Sequence, residues 1–554
     1  MNTMKTLTIA ILCICSPILS FAQWKSDGLP FSMPKLQEPV FKQDTFNVVT
    51  YGAIGDGITV NTAAIANTIN QCSKSGGGVV LVPSGLWLTG PIELKSNTNF
   101  HLAKGAVVLF SANLNDYPMV MSYWEGQKAW RCQSPISGYK LQNIAITGDG
   151  VIDGSGDAWR FVKKSKLTTS QWNKLITTGG VVSPDKSTWY PSEGSMIGNQ
   201  MSYQGTLPLA TDTAAYSKIR DYLRPVMVSL VECKSVLIDG PTFQNSPSWC
   251  LHPLLCEHLF VRNINVRNPW YAQNGDGIDV ESCRVGEISN STFDVGDDAI
   301  CIKSGRDAEG RKRNKPTEFF VITGCVVFHG HGGFVIGSEM SGGVRNLYVD
   351  NCTFLGTDIG LRFKTTRGRG GVVENIYVSD ISMINIPAEA IRFDMYYMGN
   401  SPIAEGDEKE RPVVQEKGFT VNEGTPQFKD FYIRNIRCNG AEQAIYLQGI
   451  PEMSIKNISI DNSSFKAVKG FTCIDGENIQ LNNVTIDVSK GNAAIIVNSK
   501  SVTLNKLEGL NYKGKLLKVS GEATSGVTVS GKLKKVTESD IETSPEVKSK
   551  VMIK

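Results

Sequence analysis

The sequence has little net charge: 56 Lys and Arg face 53 Asp and Glu across 554 residues. That balance leaves no basic field of the kind nucleic acid selects, which excludes nucleic acid as the expected partner. Histidine is scarce, with five in the chain, and none of the thirteen cysteines is spaced as CxxC, so no zinc site is expected. Beyond the N-terminus no apolar run is long enough to cross a bilayer. Asn-Gly hairpin signals between alternating runs are sparse, which argues against an antiparallel sandwich. What is abundant is glycine, 54 residues, with Val, Ile, Asn and Thr, a composition of short strands and tight turns.

The first residues, "MNTMKTLTIAILCICSPILSFAQ", join a lysine, an apolar run and Ser20-Phe21-Ala22. This is the layout of a cleaved secretory signal over 1–22. A lipoprotein signal does not fit, because Leu12 precedes Cys13 and Ile14 precedes Cys15. The mature chain is expected to be exported, periplasmic or secreted, with an N-terminal extension over 23–45. Eleven cysteines remain, an odd number. Cys301, Cys325 and Cys352 sit within apolar strand patterns, so buried thiols with at most a few disulfides are expected.

A six-residue pattern, apolar-x-Asn/Asp/Gly-x-x-apolar, recurs along the chain. It reads "ITGDGV" at 146, "IDGPTF" at 238, "VRNINV" at 261, "ISNSTF" at 288, "ITGCVV" at 322, "VDNCTF" at 349 and "VSDISM" at 378. It returns as "IRNIRC" at 433, "IKNISI" at 455 and "LNNVTI" at 481. Units this small cannot bury their own apolar face, but stacked neighbours can. The fold expected is all-β, a right-handed parallel β-helix over 46–540 with a tail over 541–554. Two gaps, near 153–225 and 399–427, are too long for one coil and are expected as loops or small lobes. Helix-like spacing surrounds Trp172 and Leu175.

Four polar clusters follow successive repeats: "NGDGID" at 274–279, "GDD" at 296–298, "GHGG" at 330–333 and "RFK" at 362–364. Equivalent positions of a parallel solenoid stack about 4.8 Å apart, so Asp276, Asp297, Asp298, His331, Arg362 and Lys364 should share one patch. Adjacent Asp297 and Asp298 repel unless a turn exposes both or a reaction uses them. Stacked carboxylates cannot all ionise easily, so one should hold its proton, as acid-base cleavage of a glycosidic bond requires. Arg362 and Lys364, two apart on a strand, point to one side and suit a substrate carboxylate. The patch reads as a site for an acidic sugar, with no metal and no cofactor expected.

Asn-x-Asp, Gly-Asp-Asp, Gly-His-Gly and Arg-x-Lys in this order resemble the polygalacturonase family, glycoside hydrolase family 28. "FNVVTYGAIGDG", "GGGVVLVPSG", "NSPSW" and "HGGFVIGSEMSGGVRN" add to the resemblance. It implies a right-handed parallel β-helix that hydrolyses α-1,4-galacturonosidic bonds of pectin with inversion and without a metal. It also implies Asp297 as proton donor, Asp276 and Asp298 as the pair activating water, and His331 as the supporting histidine. Asn274, Arg362 and Lys364 are implied as substrate-binding, with a tyrosine of "FDMYY", either Tyr396 or Tyr397, the second favoured. Gly275 stands where the family often has threonine, and Gly333 is an added residue. Carboxylates one coil apart are closer than the roughly 6.5–9.5 Å usual for inversion, so inversion is implied by resemblance alone.

The long gaps, with Trp159, Trp172, Trp189 and Tyr190, could pack as a wall or stack on a sugar and so favour attack from a chain end. The basic loop "GRDAEGRKRNK" could grip a terminal acidic unit, or simply be solvated. A rhamnogalacturonan-type hydrolase stays open, although that branch is expected to lack Asn274 and His331. A lyase would normally want calcium and a basic residue as base. A non-catalytic glycan-binding solenoid would show aromatic platforms without an acid-base set. The chain is expected to act as a monomer.

Overall fold

The third residue of the repeat hexamer is where the chain must turn left-handed. Gly240, Asn263, Asn290, Asn351, Asp380 and Asn435 all have positive φ there, a conformation Gly, Asn and Asp adopt at least cost. One copy is out of step. In "IKNISI", Asn457 lies within the strand Ile455–Asp461, and the turn of that coil is Asn462. The turn amides stack from coil to coil, as where Asn483 Nδ2 donates to Asn462 Oδ1 at 2.8 Å. Such ladders satisfy side-chain polar groups at each corner.

A coil comprises three short strands. Glu257–Arg262, Asn265–Arg267 and Ile278–Glu281 make one; Arg284–Ser289, Thr292–Asp294 and Asp298–Lys303 make the next. Each strand pairs in parallel with its counterpart, with Val261 opposite Ile288, Val266 opposite Phe293, and Ile278 opposite Ile300. Three parallel sheets result, and the chain is a right-handed parallel β-helix. Register places like residues in columns, so Ile288, Ile322 and Val349 stack as one buried line. Phe363 and Phe393 pack inside the coil with ring centroids 4.5 Å apart and their planes tilted by 45°. Residues Thr62–Lys74 form a helix whose buried Ile65, Ile69 and Cys72 pack against the first strands and cover that end of the core.

The computed structural model describes residues 28–201, 213–397 and 418–554. The expected signal over 1–22 and the start of the 23–45 extension lie outside these residues, as does most of the 399–427 gap. Residues 28–33 form a separate short unit, and 34–554 form one compact unit. Residues 541–554 are not a separate tail, because Ile541–Thr543 pairs with Leu517–Ser520 and Met552–Ile553 with Thr528–Gly531. The eleven described cysteines are free, buried thiols. Among the described residues no helix is long and apolar enough to cross a membrane.

Two insertions interrupt the coils on the side of the third sheet. Met119–Trp124 and Gln127–Cys132 form an antiparallel hairpin with both turn residues, Glu125 and Gly126, at positive φ. The sequence signal was Glu-Gly rather than Asn-Gly, and the hairpin was not anticipated. The 153–225 gap holds a small antiparallel sheet of Val162–Lys163, Thr188–Tyr190 and Val181–Val182. It also holds the helices Thr169–Leu175 and Glu193–Met201. Thr168 caps the first through a reciprocal bond with Gln171.

Candidate active site

Four consecutive strands of the third sheet carry the polar clusters. Ile278–Glu281, Asp298–Lys303, Gly332–Ile336 and Ile359–Lys364 pair side by side in register. Asp276 lies just before the first strand, Asp297 and Asp298 open the second, and His331 precedes the third. On the fourth, Leu361 and Phe363 face the core, so Arg362 and Lys364 point outward together. Carboxylate oxygens of Asp276, Asp297 and Asp298 all lie within 4.8 Å of one another.

Adjacent aspartates are tolerated because each has its own partners. Asp297 accepts the backbone N–H of Asn274 at 3.2 Å and of Asp298 at 3.0 Å, and faces His331 Nδ1 at 3.2 Å. Asp298 accepts Arg362 Nη1 at 3.1 Å and Lys364 Nζ at 2.7 Å. Charge-assisted bonds of this kind contribute about 1.5–3 kcal/mol each. Asp276 has no such partner: its Oδ1 is buried without a hydrogen bond.

Electrostatics follow from these partners. Burial pushes the Asp276 carboxyl well above the ordinary range, and the nearby Asp279 and Asp297 charges add to it. Burial also raises Asp297, but its bond to His331 and the charges of His331, Lys364 and Arg362 outweigh that and hold it low. Asp298 is likewise raised by burial and lowered further by Lys364 and Arg362. The His331 imidazole is raised above its usual value by Asp297, against the effect of burial. Of the three stacked carboxyls, Asp276 is thus the one biased toward its protonated form, while Asp297 and His331 favour a carboxylate–imidazolium pair. The three aspartates are the single cluster of cation-ligand type among the described residues. Lys364, Arg362 and His331 already oppose its charge.

A cavity of about 310 Å³ opens beside these carboxylates, lined by Asn274, the three aspartates, Lys364 and Tyr397. Its opposite wall comes from Trp124 and Glu125 of the hairpin, and from Phe161, Asn199, Tyr222 and Arg224 of the second insertion. Arg224, 4% exposed, donates to Asn274 Oδ1 at 3.0 Å and to Gln273 O at 3.0 Å. Arg131 of the hairpin in turn donates to Arg224 O at 2.6 Å. Both insertions are thus fastened to the loop whose Asn274 N–H reaches Asp297. Burial and neighbouring Glu339 push Glu125 up to about 7. Lys303, 2.7 Å from Glu339, lines the floor. Lys303 had a sequence signal, a lysine alternating outward in "ICIKSG"; the hairpin had only its Glu-Gly turn, and Arg224 had none.

Other expectations resolve individually. Tyr397 lines the cavity, with Lys364 Nζ 4.7 Å from its ring centroid, whereas Tyr396 packs in the core. His329, two residues before His331, is exposed and paired with Asp294 at 2.8 Å. Trp159, Trp172, Trp189 and Tyr190 are buried packing residues, none of them on the cavity. The basic loop forms a helix, Asp307–Arg313, with Arg306 bonded to Glu125 and Arg313 to Glu281. Gly275 is sterically required along this path, because a Cβ there would sit 2.7 Å from Ala272 Cβ. Gly333 is absorbed in the strand Gly332–Ile336, facing Phe354.

The model of glycosyl hydrolases family 28 matches residues 210–425. One described as rhamnogalacturonase A/epimerase, pectate lyase-like, matches 45–115, before the site. The chain is 29% identical over 448 residues to a probable polygalacturonase of Vitis vinifera, covering 78% of this chain and 77% of the relative. It is 27% identical to the exo-poly-alpha-D-galacturonosidase of Dickeya chrysanthemi, covering 79% and 70%. The solved exopolygalacturonase of Thermotoga maritima superposes with a TM-score of 0.64 at 29% identity, covering 81% of this chain and 93% of that one. Residues 210–425, which carry all four motifs, thus resemble glycosyl hydrolases family 28, the polygalacturonase family of the relatives above.

Proposed function

We propose that this hydrolase cleaves α-1,4-galacturonosidic bonds of polygalacturonate by inverting acid-base hydrolysis, working from a chain end. The observation that carries the reading is the cavity lined by three carboxylates and Lys364 on one side and by two insertions opposite, with Arg362 bonded to Asp298. Arg362 and Lys364 serve the substrate carboxylate, with Asn274 and Tyr397 completing the contact. Asp298 is bonded to both cations, so an entering uronate shares them. That shared charge weakens what holds Asp297 low, letting the proton beside His331 pass to Asp297 and on to the leaving oxygen. Burial biases Asp276 toward its protonated form while Lys364 and Arg362 bias Asp298 toward the ionised one, so Asp298 is the member that accepts a proton from water as the water oxygen attacks the anomeric carbon. The mature enzyme is exported and acts as a monomer.

Exo-type names among the relatives support chain-end attack, as does the closed wall. The test is product analysis on polygalacturonate, following viscosity against reducing ends. Monomer or dimer release at nearly constant viscosity is expected; an early viscosity collapse with mixed oligomers would overturn the chain-end part. Unsaturated products lost on chelation would instead indicate a calcium-dependent lyase.

A further inference from the structure

The cavity of about 310 Å³ is at the small end of the range for small-molecule sites, and it ends at the hairpin tip. There Trp124 stacks on Trp249 with centroids 5.1 Å apart and 21° between planes. Arg131 lies over the Trp124 ring at 4.0 Å. Glu125 faces the cavity and accepts Arg306 Nη1 at 2.7 Å.

The tip is fixed from behind. Arg313 Nη2 donates to Gly126 O at 2.8 Å, and a Cβ on Gly126 would lie 2.6 Å from Arg306 N. Glu309 accepts the N–H of Lys128 at 3.2 Å. These contacts hold the tip in place as a wall of the cavity. Arg306 also contacts Asp307 at 3.3 Å, so neutralising Arg306 does not by itself account for a carboxylate turned toward the cavity.

We infer that Glu125 is a chain-end recognition residue, binding the hydroxyl that a terminal galacturonate has where an internal unit carries the next sugar. One sugar unit lies between the Asp276-Asp297-Asp298 cluster and the hairpin. Glu125 and Glu339 offer acceptors for its hydroxyls, and Lys303 supplies a positive partner for its carboxylate. A unit lacking that hydroxyl is disfavoured, because the Glu125 oxygen not taken by Arg306 is then desolvated without a substrate donor. This rests on the galacturonan reading above.

The experiment uses the full enzyme on trigalacturonate and two derivatives. One has a 4,5-unsaturated non-reducing end, which lacks the terminal hydroxyl; the other has a borohydride-reduced reducing end. One derivative should be a poor wild-type substrate, and which one assigns the end read. Glu125→Gln, which keeps the shape, should lower kcat/KM on trigalacturonate by about tenfold or more. The loss should be far smaller on the disfavoured derivative, at an unchanged melting temperature. Equal losses on all three trimers, or no loss in either Glu125→Gln or Glu125→Ala, would overturn the inference. Wild-type inactivity on polygalacturonate would instead overturn the functional reading, so the two failures are separately visible.

Discussion

The two walls of the cavity are built by different physics. On one side, strands 278–281, 298–303, 332–336 and 359–364 place each side chain through backbone register, repeated coil by coil. On the other, the hairpin and second insertion are placed by side chains, chiefly the Trp124–Trp249 stack and the Arg131–Arg224–Asn274 chain of bonds. A ladder of backbone bonds fixes reactive groups with little freedom, which suits chemistry. Insertions alter the cavity without disturbing the ladder, which suits choice of substrate. Damage to the first wall should therefore appear in turnover, and damage to the second in product pattern.

The largest expected effect is on the ladder wall. Asp297→Asn keeps the shape and removes the titrating oxygen, so kcat should fall by roughly 10²–10⁴-fold while oligogalacturonate binding survives. Steady-state kinetics with a binding isotherm checks both halves; retained turnover would remove Asp297 from the acid role. Arg362→Ala and Lys364→Ala should follow. Each loses a charge-assisted contact of about 1.5–3 kcal/mol to the substrate carboxylate and leaves Asp298 with one cation fewer. Comparing galacturonate oligomers with neutral or methyl-esterified ones decides it. If either variant discriminates as sharply as the wild type, the cations serve Asp298 alone.

The same contrast governs how much could be read from sequence. Asp276, Asp297, Asp298, His331, Arg362 and Lys364 were legible because a repeat converts spacing along the chain into proximity in space. The turn asparagines were legible for the same reason, and the one slip, at 455, came from a second left-handed column at Asn457 with the same local composition. Glu125 and Arg224 were not legible, because tertiary docking brings them to the site and no period relates them to it. The four aromatic residues of the second insertion drew attention as possible sugar platforms but are packing. The cavity took Phe161 and Tyr222 instead. Which carboxyl keeps its proton was also out of reach, since it depends on Asp276 being the one without a donor.

A smaller effect should follow from loosening the insertion wall. Trp124→Ala removes an aromatic contact contributing about 0.5–1.5 kcal/mol beyond its buried area and leaves the ladder intact. Turnover of trigalacturonate should stay within about one order of magnitude of the wild type, because the Arg131–Arg224–Asn274 bonds still hold the loop beside Asp297. Products from polygalacturonate should broaden toward longer oligomers. Unchanged products with strongly reduced turnover would mean that the hairpin supports the chemistry rather than the choice of chain end.

The smallest effect concerns pH and returns to the ladder wall. His331 is held above its ordinary value by Asp297, with Asp298 and Asp358 adding to the effect. Asp297 is held below its own despite burial, chiefly by His331. For the raised imidazole, the stabilisation is complete below its unfolded value of about 6.5 and is lost as pH rises through the folded value. For the lowered carboxyl, it is present above about 3.9 and is lost as pH falls through the folded value. The pair therefore stabilises the fold most between about pH 4 and 6.5 and fades on the alkaline side. His331→Gln should lower the melting temperature more at pH 5.5 than at pH 9. The difference should be small, because the imidazole is 43% exposed and water screens the interaction. The alkaline limb of kcat/KM should move to lower pH in the same variant, since His331 no longer feeds a proton to Asp297. A melting difference equal at both pH values, with an unmoved alkaline limb, would show that the His331–Asp297 contact carries no shared proton.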